Sequence, residues 1–260
     1  MKKTLIALTL AVTTVSGSAM AWIEGDFNGS LDIGGSITPD KSGWQWKMEA
    51  SQLSSLNLTT DTATESGGNI IWSKIGDAFP ILMGKTLKAY KHSTGMSPLI
   101  TYAGDGFNIR FPDNAAPVVS LAATGKTDPS KKGVLTFGMN MYALVSADYA
   151  AGPGIQQIAD TSKTYGNGYL QNARYVNSLT ASTIKNGIDK ILGREAIIIA
   201  ANATEKNYTG PNIFNNTVVS NIQGAYASEF ADKSGTLTFP AAAGAPVDWK
   251  SSLTVTVSYQ

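Results

Sequence analysis

Alternation of apolar and polar residues with a period of two is the dominant pattern along the chain. Its clearest example lies in residues 135–149, where every second residue is apolar: Leu135, Phe137, Met139, Met141, Ala143, Val145, Ala147 and Tyr149. Such alternation predicts a long strand with one buried face. Shorter segments show the same pattern at Trp44, Trp46 and Met48, at Phe107, Ile109 and Phe111, and at Leu253, Val255, Val257 and Tyr259.

Clusters of turn-forming residues separate these alternating segments. They lie at residues 66–69, 104–106, 112–114, 128–130 and 232–235. Glycine, proline, asparagine and aspartate dominate such clusters because they accept the backbone angles that turns require. Many short strands with this punctuation and few helical segments predict an all-β chain folded as a β-sandwich.

One region, at about residues 152–210, departs from the strand pattern and is interpreted as an insertion. Residues 182–192 within it predict a helix, because Ile184, Ile188 and Ile191 fall on one helical face and Ser182 or Thr183 can serve as the N-cap. Gly187 is unfavourable inside a helix. A long insertion can carry a binding function, since loops often do so on a rigid sandwich, or it can be a packing elaboration without a ligand.

The N-terminal residues 1–21 have the layout of a secretory signal peptide. Lys2 and Lys3 precede an apolar stretch at residues 5–12, and the small-residue pattern at 19–21 predicts cleavage after Ala21. Cleavage removes two lysines and no acid, so 20 basic and 19 acidic residues become 18 and 19, a net charge of −1. Nucleic acid and anionic lipid are therefore unfavoured partners.

The residue types needed for common catalytic and metal sites are scarce. Cysteine is absent, which excludes a disulfide framework and thiol catalysis, and the single histidine, His92, lies in a Lys- and Ser-rich segment typical of a surface. Paired carboxylates would be needed for a glycan-cleaving enzyme, and the acids are sparse and unclustered. We therefore predict no catalytic residue, no metal site and no cofactor.

Residues 26–38 form an alternating segment close to the predicted cleavage site. One row combines large apolar residues with glycines, namely Phe27, Gly29, Leu31, Ile33, Gly35 and Ile37, and the other row is polar. An extended segment of this kind places one row in a hydrophobic groove and leaves the other in water. The segment can be the first strand of its own sandwich or a strand donated to a neighbour. The free end left by cleavage and the linker at residues 39–43, which has no tight hairpin signal, favour donation.

Several segments carry a resemblance to a known family. They are MKKTLIAL, AWIEGDFNGSLDIGGSIT, WQWKM, PILMGKTLKAY, TVVS, GTLTF and DWKSSLTVTVSY, which are spread over most of the chain. With these segments the sequence resembles the FaeG-like and ClpG-like fimbrial subunits of enteric bacteria.

The resemblance implies an incomplete immunoglobulin-like β-sandwich completed by a neighbour's donor strand. Residues 22–38 are then the donor extension, and residues 39–260 are the subunit domain with its insertion. It further implies escort by a periplasmic chaperone, which would pair with the C-terminal strand at Leu253, Val255, Val257 and Tyr259. Export through an outer-membrane usher and assembly with other fimbrial subunits on the cell surface follow from the same resemblance.

Adhesion to host glycans is the remaining implication, since FaeG-like major subunits are themselves adhesins. The Gly- and Ala-rich part of the insertion before Asn177 is shorter than the resemblance to FaeG-like major subunits implies. A minor structural or regulatory subunit without glycan binding is therefore an alternative. Candidate sugar-contacting residues are Tyr165, Tyr169, Asn172 and Arg174, with exposed turn residues as the other interpretation. An outer-membrane β-barrel is a distant alternative, disfavoured because the segments after residue 149 lack the regular apolar face that lipid requires.

Overall fold

The computed structural model describes residues 23–24, 26–30, 35–38, 43–48, 56–91, 96–112, 116–157, 180–194, 196–197, 203–205 and 211–259. The predicted signal peptide, His92 and most of the predicted insertion lie outside these residues. The strands in the described ranges are β1 (Ile23–Glu24), β2 (Asp26–Ser30), β3 (Gly35–Thr38), β4 (Trp44–Lys47), β5 (Thr64–Ser66), β6 (Asn69–Ile75), β7 (Phe79–Thr86), β8 (Pro98–Ala103), β9 (Asn108–Arg110), β10 (Val118–Gly125), β11 (Lys132–Tyr149), β12 (Gly152–Gln157), β13 (Thr204–Glu205), β14 (Ser220–Phe230), β15 (Gly235–Pro240), β16 (Trp249–Lys250) and β17 (Thr254–Tyr259).

The described strands form two hydrogen-bonded sheets. The larger sheet has the order β1-β4-β7-β14-β11-β15-β6-β5, with β10 and β12 also paired to β11, and the smaller sheet has the order β3-β2-β17-β8. Strand pairs are antiparallel throughout the described residues, apart from the short parallel pair of β12 and β13. The chain is therefore an all-β, immunoglobulin-like antiparallel sandwich, as the sequence predicts.

Strand β11 is the central element of the larger sheet. Its first half pairs with β10 and β15, with Leu135 opposite both Leu121 and Leu237. Its second half pairs with β12 and β14, with Val145 opposite Gly224 in the latter pair. The predicted alternation over residues 135–149 is confirmed: the apolar row is buried up to residue 147, and Tyr149 is half-buried.

Two tryptophans of β4 form the centre of the core near the chain ends. Trp44 and Trp46 are both buried, and their rings stack at a centroid distance of 5.1 Å. The Trp44 Nε1 donates to the carbonyl of Met96 at 2.9 Å. A Cβ at Gly84 on the neighbouring strand β7 would lie only 2.1 Å from the Trp46 indole, so this indole requires a glycine beneath it.

Two of the predicted turn clusters show how local chemistry ends a strand. Gly67 and Gly68 connect β5 to β6 with φ angles of 58° and 74°, values that side chains with a Cβ rarely adopt. In the turn before β11, the Ser130 hydroxyl and then the Ser130 backbone N–H donate to the Asp128 carboxylate and lower its pKa. Part of the cluster at residues 112–114 lies outside the described residues.

The helix α1 (Ala181–Leu192) is confirmed, but its N-cap is not the one predicted. The cap residue is Thr180, whose Oγ1 accepts from the Thr183 N–H at 3.1 Å, instead of Ser182 or Thr183. The first turn extends further upstream because the Glu205 carboxylate accepts from the N–H groups of Ala181 and Ser182. Amides in the first turn of a helix have no intrahelical acceptor, and the Glu205 carboxylate supplies one from outside the helix.

The buried face of α1 packs on the larger sheet. Ile184 and Ile188 are buried and Ile191 is partly buried, as predicted. Gly187 lies against the Tyr142 ring of β11, where a Cβ would approach to 2.7 Å. The glycine that weakens the helix prediction is therefore a packing requirement between the helix and the sheet.

Candidate assembly site

The C-terminal strand β17 lies inside the smaller sheet, between β8 and β2. Leu253, Val255 and Val257 are buried and Tyr259 is half-buried, which confirms the predicted alternation. On one side Val255 is opposite Tyr102 of β8. The other side of β17 pairs with the N-terminal segment, so the two ends of the described chain meet at one edge of the sandwich.

The N-terminal segment forms two antiparallel strands where the sequence predicts one continuous strand over residues 26–38. In the pairing of β2 with β17, Phe27 is opposite Val257 and Gly29 is opposite Val255. Strand β3 pairs back on β2, with Ile37 opposite Phe27 and Gly35 opposite Gly29. The pairing satisfies backbone groups of β2 that would otherwise form an open sheet edge. Leu31 and Ile33 of the predicted row lie outside the described residues.

The same segment also contacts the larger sheet. Strand β1 pairs with β4, with Ile23 opposite Trp46 and Glu24 opposite Gln45. The chain thus passes from the edge of the larger sheet to the edge of the smaller one within residues 23–30. Both sheet edges that meet here are covered by the N-terminal segment.

Two sets of hydrogen bonds join the two sheets beside this edge. The Trp46 Nε1 of β4 donates to the Tyr259 hydroxyl of β17 at 2.7 Å. Deeper in the core, the Tyr102 hydroxyl of β8 is 2.7 Å from the Tyr226 hydroxyl of β14 and donates to the Ser228 Oγ at 2.9 Å. These polar contacts connect β8 and β17 to the larger sheet, because each hydrogen bond joins a side chain of one sheet to a side chain of the other.

A cleft of about 800 Å³ opens where β17 begins. Its apolar floor consists of Leu56, Trp72, Leu135, Leu237 and Phe239, and its rim includes residues 245–251. A smaller apolar pocket that includes Leu253 shares Leu56, Leu135 and Ser251 with it. The cleft and the C-terminal strand therefore belong to one continuous region of the sandwich.

A buried carboxylate that the sequence analysis missed anchors the insertion helix. Glu229 of β14 accepts from the Asn140 Nδ2 at 2.9 Å and from the Tyr142 hydroxyl at 3.4 Å, and it lies 3.7 Å from the Lys190 Nζ of α1. The signal available in the sequence was a lone acid within the otherwise uncharged strand Ser220–Phe230. The contacts join the helix to two strands of the larger sheet.

The predicted sugar-contacting residues Tyr165, Tyr169, Asn172 and Arg174 lie outside the described residues. Within the part of the chain that the structure describes, no three or more His, Cys, Asp or Glu side chains are grouped so that they could hold a metal ion. In that same part, no helix has both the length and the apolar character needed to cross a membrane.

The fold and this edge define an all-β protein in which β2 and the C-terminal strand β17 pair beside a cleft with an apolar floor. The family model described as "Fimbrial, major and minor subunit" matches residues 1–260, so the chain belongs to this fimbrial subunit family. The family resemblance seen in the sequence is thereby confirmed.

Several curated relatives from Escherichia coli are similar to the chain. K88 fimbrial protein AC is 39% identical over 145 residues, which cover 54% of this chain and 48% of that protein. The match thus spans about half the length of this relative. K88 minor fimbrial subunit FaeI is 24% identical and F41 fimbrial protein 25% identical, and each alignment covers 100% of both chains.

Proposed function

We propose that this fimbrial subunit polymerises by strand donation, in which residues 26–38 of one copy pair along β17 of the next. The observation that supports the proposal is the antiparallel pairing of β2 with β17 within one chain, because the same segment of a neighbouring copy can form the same backbone hydrogen bonds. Burial of Phe27, Leu31, Ile33 and Ile37 would contribute about 6–12 kcal/mol before ordering costs. A head-to-tail contact of this kind propagates into a filament.

The same edge is the proposed chaperone site before assembly. A strand of a periplasmic chaperone would pair with β17 in place of β2, along the row formed by Leu253, Val255, Val257 and Tyr259. The alternation of buried and exposed residues in β17 supports this, because edge pairing uses the backbone while the apolar row stays in the core. Removal of a signal peptide, export through an outer-membrane usher and display on a surface fimbria complete the proposed route.

Deletion of residues 27–37 tests strand donation. We expect the truncated chain to form no fibres in electron microscopy and no oligomer ladder in gels. Two double variants test whether loss of the apolar row, and not added charge alone, prevents polymerisation. Phe27→Asp with Ile37→Asp is expected to abolish polymerisation. Asn28→Asp with Ser36→Asp adds the same charge on the polar row and is expected to preserve it. Fibres formed by the deletion variant would show that the proposal is wrong.

For the role within the fimbria, we propose adhesion to host glycans, with a minor structural or regulatory subunit as the second candidate. The first role is the one that the resemblance to FaeG-like major subunits implies, and K88 fimbrial protein AC is similar to the chain over about half its length. Similarity over the full length to K88 minor fimbrial subunit FaeI favours the second. Immunogold labelling along the whole shaft of isolated fimbriae, together with binding on a glycan array, would support the adhesive subunit. Sparse or tip labelling without glycan binding would support the minor one.

A further inference from the structure

The outward face of the larger sheet carries a patch without charged side chains, where β10, β11, β15, β6 and β5 lie side by side. Val134 of β11 is opposite both Ala122 of β10 and Thr238 of β15, and this row continues across β6 to β5. A second row lies two residues along β10, β11, β15 and β6. The two rows together form the neutral patch, which consists of Thr64, Ile71, Ser73, Ser120, Ala122, Val134, Thr136, Thr236 and Thr238.

The neutral patch is accessible to a partner. Its residues alternate with buried ones such as Leu135, so their side chains point away from the core. Further along β11 the same outward row is covered: Leu144 is 0% exposed, and the Tyr142 ring contacts Gly187 of α1. Within the patch Val134 is 46% exposed, and the other members are half-buried or exposed. This sheet face is therefore covered at one end and open at the neutral patch.

The absence of charge distinguishes the patch from a face that meets only water. A soluble surface carries roughly 25–35% charged residues, so nine positions would hold about two or three of them. The neutral patch holds none. The charged residues that these strands contain nearby are Lys74, Lys132 and Glu65, and all three lie outside the two rows. Charge is thus confined to the margins of the patch.

The chemistry of the neutral patch fits a second copy of the same patch. Identical surfaces that face each other repel when they carry charge, and a neutral pair avoids this repulsion. Six of the nine residues carry a hydroxyl, which both donates and accepts a hydrogen bond, so it can pair with the same group on the other copy. The remaining three, Ile71, Ala122 and Val134, lie in one row and supply an apolar strip.

The size of the patch indicates a contact between fibres and not a stable dimer of free subunits. Five strands about 4.8 Å apart and two rows about 7 Å apart cover roughly 24 by 13 Å, or about 300 Å² on each copy. Two facing patches would bury about 600 Å², which is about half of the roughly 1,200 Å² at the lower end of stable interfaces. A filament that repeats the patch forms many such contacts at once, and linked weak contacts give a strong association.

We infer that the neutral patch is a lateral contact between neighbouring fibres, in which it packs against the same patch of a second copy. The inference rests on the proposed polymerisation and uses a surface separate from the pair of β2 and β17. The small side chains of the patch allow two sheets to approach to about 10 Å, the usual distance between stacked sheets. The contact gathers fibres into bundles, whereas the free subunit stays monomeric.

Bundling of fibres tests this inference, in the same preparation that tests strand donation. Low-speed sedimentation measures the bundled fraction, and electron microscopy shows whether fibres lie singly or side by side. We expect fibres of the unchanged chain to bundle. Val134→Lys should lower the sedimented fraction at least fivefold, because like charges would face each other across the contact. Thr236→Lys tests the second row independently with the same expected result, and Val134→Thr, which keeps the patch neutral, should preserve bundling.

The matched control is Thr101→Lys, which adds the same charge to the outward face of the smaller sheet. Thr101 is opposite Thr256 and alternates with the buried Ile100 and Tyr102, and fibres of this variant should bundle like those of the unchanged chain. Bundles of the unchanged chain should persist in 1 M NaCl, because salt screens contacts between charges and not neutral ones.

Three results would overturn the lateral contact and leave strand donation intact. They are single fibres of the unchanged chain, bundling of Val134→Lys and Thr236→Lys to the same extent as the unchanged chain, and dispersal by Thr101→Lys as complete as that by Val134→Lys. Absence of fibres from the unchanged chain would instead overturn strand donation itself.

Discussion

The hydrogen bond between Trp46 and Tyr259 joins the edges of the two sheets, and Tyr259→Phe removes it while keeping the aromatic ring. Trp46 is 0% exposed, and its Nε1–H donates to the Tyr259 hydroxyl at 2.7 Å. The substitution removes this acceptor from a buried donor. An unpaired buried donor costs about 1–3 kcal/mol. Because Tyr259 is half-buried and water can enter near it, we expect a loss of about 1–2 kcal/mol in the free energy of unfolding.

Urea unfolding followed by tryptophan fluorescence measures this loss, with a thermal scan as a second measurement. For a domain of this size each kcal/mol lowers Tm by about 2–4 °C, so the variant should melt about 2–8 °C below the unchanged chain. Tyr90→Phe is the matched control: its hydroxyl donates to the carbonyl of Gly43 at 3.0 Å, and that carbonyl also accepts from the Leu87 N–H at 2.8 Å, so it keeps a partner. The control should lose less than about 1 kcal/mol. If Tyr259→Phe lost no more stability than the control, the Trp46–Tyr259 hydrogen bond would not stabilise the contact between the two sheets.

Three further predictions concern the helix and the end of β11. Gly187→Ala should lower the free energy of unfolding by about 1 kcal/mol, because overpacking against Tyr142 outweighs the higher helix propensity of alanine. In a Tyr142→Ala background the same substitution should raise the free energy of unfolding, and urea unfolding measures both changes. Glu205→Gln should cost about 0.5–1 kcal/mol at low salt, because a charge at the N-terminus of α1 is lost, and the difference from the unchanged chain should shrink in 1 M NaCl. Burial raises the pKa of Tyr149 to about 12. The contribution of Tyr149 to stability is therefore constant below about pH 10 and falls between about pH 10 and 12, because the unfolded chain loses the tyrosine proton first. After allowance for partial exposure, the free energy of unfolding should fall by about 1–2 kcal/mol over this range. Tyr149→Phe should abolish this fall when unfolding is measured as a function of pH.

The strands with one buried face were predictable because alternation is a local property. Residues 135–149 and the tryptophans of β4 show the predicted burial, and α1 has its apolar face where the isoleucine spacing places it. Helix capping was less predictable. Thr180 caps the helix through the nearby Thr183 N–H, but the amides of Ala181 and Ser182 donate to Glu205, which lies 24 residues from Ala181 along the chain and is close to it only in the folded protein.

In the candidate assembly site, too, local patterns were predictable from the sequence and long-range contacts were not. The alternating rows at both chain ends and the family resemblance follow from the order of residues alone. Folding sets the other features: residues 26–38 contribute two strands, β2 pairs with β17, and a cleft with an apolar floor opens where β17 begins. A strand pairs with a backbone edge that is open and that its linkers allow it to reach. The alternation of residues within the strand specifies neither that edge nor that distance.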